Sequence, residues 1–96
     1  MLKQVEKVNY RIVRPLGVIS ESGNTTTELN LISYNNYKPK LDLRKWERKG
    51  ETKIMQRGLT LTTEEARELK KSLDNYLEHV DKLLKEKAEA SLWIKD

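Results

Sequence analysis

The stretch that most restricts this chain is its apolar stripe of Ala66, Leu69, Leu73, Tyr76, Leu77, Val80, Leu83 and Leu84. Spacings of three and four residues put these side chains on one face of a helix. Just ahead of the stripe, Thr62-Thr63-Glu64-Glu65 fits a capping box, so a helix is expected from about 63 to 88. On the other face, Glu78 and Lys82, and Asp81 and Lys85, have the i,i+4 spacing of favourable ion pairs. Such a helix is about 40 Å long at 1.5 Å per residue, whereas a strand of five or six residues spans only about 17–20 Å. The helix therefore overshoots a sheet built from the preceding sequence. Its distal apolar residues need another surface, and a homodimer is expected with Leu73, Leu77, Val80 and Leu84 in the interface.

The preceding sequence reads as four strands. Val8 to Ile19 is rich in Val, Ile, Leu and Tyr, and Pro15 and Gly17 inside it predict a bend or bulge. Ser20 to Thr25 has turn composition. A second strand from about Thr27 to Tyr34 places Leu29 and Leu31 on one face and Asn30, Ile32 and Tyr34 on the other. After Asn35-Asn36-Tyr37-Lys38-Pro39, a third strand from Lys40 to about Arg48 points Leu41 and Leu43 one way, and Asp42, Arg44 and Trp46 the other. A fourth, about Lys53 to Leu61, follows the polar turn Arg48 to Thr52, and Gly58 predicts a bulge or a close backbone approach. The expected fold is α+β: a four-stranded curved antiparallel sheet followed by one long C-terminal helix, dimeric. One domain over 1–96 is expected, with strands from about 8 to 61 and a short tail, 90–96.

Composition bears on partners. Apolar residues make up 36% of the chain and charged residues 35%, with no Phe and no Cys. That is a thin core for 96 residues without disulfides, and oligomerisation is the usual remedy. The absence of Cys suits a reducing cytoplasm. No apolar leader and no membrane-length apolar run occurs, so a soluble protein is expected. Through Thr62, twelve bases face six acids; from Thr63 on, seven bases face nine acids. Positive charge is densest from Lys38 to Arg57, which points to a polyanionic partner.

Catalytic chemistry is not expected. His79, the single histidine, lies among charged helix residues, and no nucleophile elbow, phosphate loop or metal-ligand spacing occurs. Glu64 and Glu65 suit a helix N-terminus electrostatically and need no catalytic explanation. No cofactor is expected. The informative group is the sheet face opposite the leucines, which carries Tyr34, Lys40, Asp42, Arg44 and Trp46. Aromatic rings there could stack on unpaired bases while cations meet phosphates, at about 1–3 kcal/mol per stacked base. The alternative for Trp46 is that it caps the core or sits in the dimer interface, and Arg44 beside Asp42 could be an ordinary ion pair. Tyr10 and Tyr76 are assigned to the core, and Trp93 to packing back on the dimer.

Pro39-Lys40-Leu41-Asp42-Leu43-Arg44-Lys45-Trp46, followed by Arg57-Gly58-Leu59-Thr60-Leu61-Thr62-Thr63-Glu64-Glu65, resembles the C-terminal domain of the transcriptional coactivator positive cofactor four, and particularly its bacterial YdbC-like members. The shared pattern is apolar-Asp-apolar-Arg closely followed by Trp, then a variable basic loop. Lys/Arg-Gly-Ile/Leu-Ser/Thr-Leu and an acidic helix start complete it. The resemblance implies a dimer whose curved sheets form basic grooves for single-stranded DNA. By matched position it makes Arg44, Trp46 and Arg57 binding residues, with Tyr34 where bacterial members tend to carry Trp. Lys40 and Lys53 are added from charge and strand side. The alternatives are single-stranded RNA as the ligand, or a protein-interaction module using the helix and Leu92-Trp93-Ile94.

Overall fold

The computed structural model describes residues 9–93, with side chains to residue 86. Four strands form one antiparallel meander in the order β1-β2-β3-β4: β1 Tyr10–Ser22, β2 Thr25–Tyr34, β3 Lys40–Lys49 and β4 Thr52–Leu61. The helix α1 follows at Thr63–Trp93. The sheet, through Thr63, and the helix, from Glu64, are separate compact units.

Turn chemistry sets the strand ends. Gly50, at φ +62°, supplies the left-handed residue of the tight β3–β4 turn. Asn35 and Asn36 take positive φ at the β2–β3 connection, a conformation their short polar side chains tolerate. The expected bulge at Pro15 and Gly17 is present as part of a series. Pairing of β1 with β2 skips Val13, Leu16 and Ile19, one extra residue every third position, and all three are exposed. Each extra residue bends the strand and increases its twist. Val8, expected to open this strand, lies outside the described residues.

These bulges explain a contact that a flat sheet could not make. Tyr10 pairs with Tyr34, and Trp46 pairs with Thr26. Tyr34 and Thr26 are eight residues apart on one strand, about 27 Å when flat at 3.4 Å per residue. The Tyr10 and Trp46 rings nevertheless lie 5.7 Å apart, their planes tilted by 54°. The sheet is therefore coiled, with the face bearing Tyr10 and Trp46 concave.

That coil corrects the sequence reading of which face is the core. The face opposite the leucines was expected to be the non-core one, yet Ile32 (0% exposed), Trp46 (1%), Asn30 and Asp42 are fully buried on it. Leu29, Leu31, Leu41 and Leu43 are half-buried and Leu59 is exposed. Alternation identified the two faces correctly but could not say which one the sheet curls around.

The helix begins directly after Thr62, with Glu64 and Glu65 in its first turn, where the macrodipole favours acids. It runs past the expected end near Ala88 to Trp93, so Leu92 and Trp93 belong to the helix and not to a tail. The side-chain packing expected of Trp93, and all of Ile94, lie outside the described residues. Ion pairs on the helix join Lys70 to Asp74 and Lys71 to Glu68, at 3.0 Å each, rather than the pairs expected further along. Both are exposed and contribute little. His79 is exposed, its Nδ1 2.9 Å from the Asn75 carbonyl. Along the stripe Leu69, Leu73, Tyr76, Leu77, Leu83 and Leu84 are exposed, and Val80 is half-buried. No described helix is long and apolar enough to cross a membrane.

Candidate nucleic-acid interface

The concave face is built from two hydrogen-bonded sets that each span β2, β3 and β4 and follow one another along the strands. The first centres on Asp42, whose carboxylate is wholly buried. It accepts from the Tyr34 hydroxyl at 2.8 Å, and from Arg44 Nε at 3.0 Å and Nη2 at 2.8 Å. Arg44 Nη2 also donates to the Tyr34 oxygen at 3.2 Å, and Nη1 donates to the Gln56 carbonyl at 3.0 Å. Burial, reinforced by Asp42, pushes the Tyr34 hydroxyl up to about 12, so it stays protonated and keeps donating. The hydrogen bonds to Asp42 hold the Arg44 guanidinium above its ordinary value despite partial burial.

The second set surrounds Trp46. Lys53, on β4, reaches across Trp46 of β3 to Glu28 of β2, with Nζ 2.8 Å from Glu28 Oε1 and 3.1 Å from Oε2. The same ammonium lies 4.9 Å from the Trp46 ring centroid, a cation–π distance. Glu28 is buried and also accepts from Thr26 Oγ1 at 2.6 Å and Asn30 Nδ2 at 3.4 Å. Burial alone would raise the Glu28 carboxyl, but hydrogen bonds from Lys53, Thr26 and Asn30 together hold it below the usual Glu range. With Tyr10 against the ring as well, Trp46 is packed under two neighbours, and its Nε1 has no hydrogen-bond partner among the described residues.

Arg57 is placed elsewhere by a bulge. Arg44 pairs with Gly58 and Trp46 with Met55, so Gln56 and Arg57 together stand opposite Lys45. The extra residue turns both toward the Lys45 side of the sheet. Thr25, Lys45, Glu47, Gln56 and Arg57 line a shallow cavity of about 430 Å³ there, and Gln56 Nε2 lies 3.4 Å from Glu47 Oε1. Gly58 permits this geometry by the close approach expected of it. A Cβ on it would fall 2.5 Å from Arg44 Cβ and 2.6 Å from the Leu43 carbonyl oxygen, closer than atoms can pack.

The structure thus gathers Tyr34, Arg44, Trp46 and Lys53 on the concave face, with Lys40 exposed at its margin opposite Ile32. Arg57 stands on the other face with Lys45. The sequence reading passed over Glu28, which shares the alternation of Asn30 and Ile32, and Lys45, which sits between Arg44 and Trp46 in the basic stretch. Tyr10 had been assigned to the core, and it does pack on Trp46. Among the described residues no cluster of His, Asp or Glu could hold a metal ion.

A coiled four-stranded meander with cations on β3 and β4 and aromatics on β1, β2 and β3, followed by a long helix, defines an α+β class in which the sheet carries the chemistry. The profile of the family described as Transcriptional Coactivator p15 (PC4) matches residues 22–72, from the end of β1 into α1. The match covers just over half of the chain, and the chain belongs to that family. The family is a non-enzymatic, DNA-binding one. No curated protein matches the chain.

Proposed function

We propose that this protein binds single-stranded DNA with little sequence preference, as a homodimer, in the manner of the YdbC-like members of its family. The observation that carries this reading is the β3–β4 bulge, which puts Lys45 and Arg57 in one open cavity. Neither has an ion-pair partner among the described residues, unlike Arg44 and Lys53. Two cations against the single acid Glu47 leave this cavity net positive and suited to phosphate, and the aromatic concave face lies on the other side of the same strands.

A titration of labelled oligo-dT and of duplex DNA at two salt concentrations tests the reading. Single strands should bind more tightly, and the logarithm of affinity should fall with log salt by about 0.7 per phosphate neutralised. Arg57→Ala should weaken binding to every sequence alike and flatten that slope by about one phosphate. Equal binding by parent and variant would place the DNA on another surface. Carrying out the same titration with an RNA strand decides between the two sugars.

The dimer rests on the helix. Leu77 is 63% exposed and Leu84 54%, in a continuous stripe with Leu73 and half-buried Val80. Apolar patches of this kind mark contact surfaces. Val80→Asp should shift the protein from dimer to monomer in light scattering at micromolar concentration, because it puts a charge in a dry interface. A folded parent that scatters as a monomer would turn the stripe over to a different protein partner.

A further inference from the structure

We propose that Lys53 is a displaceable lid on Trp46, held shut by Glu28, and that a phosphate of the incoming strand takes Lys53 from Glu28 and so opens the indole to a base. This rests on the single-strand reading above and adds to it a residue, Glu28, that sets affinity by competing with the ligand.

Three observations carry it. First, Trp46 is the largest aromatic on the concave face and is 1% exposed, so a base cannot stack on it as the face now stands. Second, part of its cover is the end of a flexible side chain rather than backbone. Lys53 Nζ sits 4.9 Å from the ring centroid, and the side chain is 33% exposed, so solvent and ligand can reach it. Glu28, at 8%, is the buried partner, hydrogen-bonded by Thr26 and Asn30 as well as by Lys53. Third, the closed packing leaves Trp46 Nε1 without a hydrogen-bond partner among the described residues. A buried unmade donor is unfavourable, so the closed state forgoes a bond that an opened indole could make with water or with a phosphate oxygen.

For Lys53 the exchange of carboxylate for phosphate is even-handed, but it strips buried Glu28 of its counter-charge, and that cost is what makes Glu28 a brake on binding. Lys53 gives up one charge-assisted hydrogen-bonded pair for another. The opened ring then gains a stacked base, while Glu28 keeps its bonds from Thr26 and Asn30. Glu28 therefore acts as an internal competitor of the same charge as the ligand.

The test is Glu28→Gln, measured in a Trp93→Phe background so that Trp46 alone reports fluorescence, with folding checked by circular dichroism. Without any nucleic acid, acrylamide should quench Trp46 more strongly than in the parent. Oligo-dT should bind about tenfold more tightly at low salt, equivalent to about 1.4 kcal/mol. Lys53→Ala should also raise quenching, yet weaken binding. In the Lys53→Ala background Glu28→Gln should bring no further tightening, because the cation it releases is gone. Equal tightening with and without Lys53 would reduce Glu28 to a general charge effect and overturn the lid. So would a folded Glu28→Gln whose quenching and affinity match the parent. Should Glu28→Gln fail to fold, unchanged quenching in Lys53→Ala would overturn the lid by itself. A parent that binds no oligo-dT overturns the proposed function, whereas a parent that binds while Glu28→Gln binds no tighter overturns the lid alone.

Discussion

Trp46→Ala is expected to destabilise the fold by about 3–5 kcal/mol, the range for truncating a buried aromatic. That is a large share of the roughly 5–15 kcal/mol that holds a domain together. The side chain fills the concave face between Tyr10 and Lys53, with Thr26 and Met55 as its cross-strand partners, and Ile32 is the other fully buried apolar residue in the sheet. Urea unfolding should show a lower midpoint with an unchanged slope. Trp46→Phe should behave differently. It keeps an aromatic ring against Tyr10 and removes the unpartnered Nε1, and relief from a buried unmade donor of about 1–3 kcal/mol offsets much of the lost ring volume. A Trp46→Phe variant as unstable as Trp46→Ala would mean that Nε1 makes a bond after all. Because alanine disturbs folding and stacking together, loss of DNA binding in Trp46→Ala is uninformative. Phenylalanine is the substitution on which binding should be measured.

Much of the scaffold was legible because local chemistry encodes it. Gly50, Asn35 and Asn36 mark turns through the backbone conformations they allow. Pro15 and Gly17 announced an irregular β1, and Gly58 a close approach, because each removes something a regular strand needs. The stripe from Ala66 to Leu84 has only a helical reading. The site was less legible, for two physical reasons. Alternation has a period of two, so each extra residue reverses the faces beyond it, and the sequence does not print where extra residues fall. Arg57 shows the effect, since one bulge beside Gly58 carries it away from Arg44 and toward Lys45. The second reason is that Glu28, Asn30 and Asp42 read as solvent-facing by polarity. They are buried because they satisfy one another and their neighbours Thr26, Tyr34, Arg44 and Lys53, and a network of that kind depends on the coil of the whole sheet. The family motif located β3, the β4–α1 junction and Asp42, the acid that holds Arg44, but it said nothing of Glu28, which holds Lys53 in place.

Asp42→Ala should be comparably damaging, at about 3–5 kcal/mol, for a different reason. Asp42 is 0% exposed, and its carboxylate is the shared acceptor of the Tyr34 hydroxyl and two Arg44 nitrogens. Without it, a guanidinium with only 15% of its side chain exposed loses its counter-charge, and the Tyr34 hydroxyl loses its acceptor. Removing one partner of a buried pair costs far more than removing both, because the desolvated charge that remains is the expensive part. Asp42→Ala combined with Arg44→Met should therefore regain part of the lost stability, even though it carries one more substitution. Arg44→Met alone should fall between the parent and Asp42→Ala, since the carboxylate it strands keeps the Tyr34 bond. Urea midpoints of the four proteins close a double-mutant cycle that isolates the coupling. A double variant less stable than Asp42→Ala would show that the two side chains act independently. In that case the stability Asp42 brings would come from packing, and Arg44 would already be free for a phosphate.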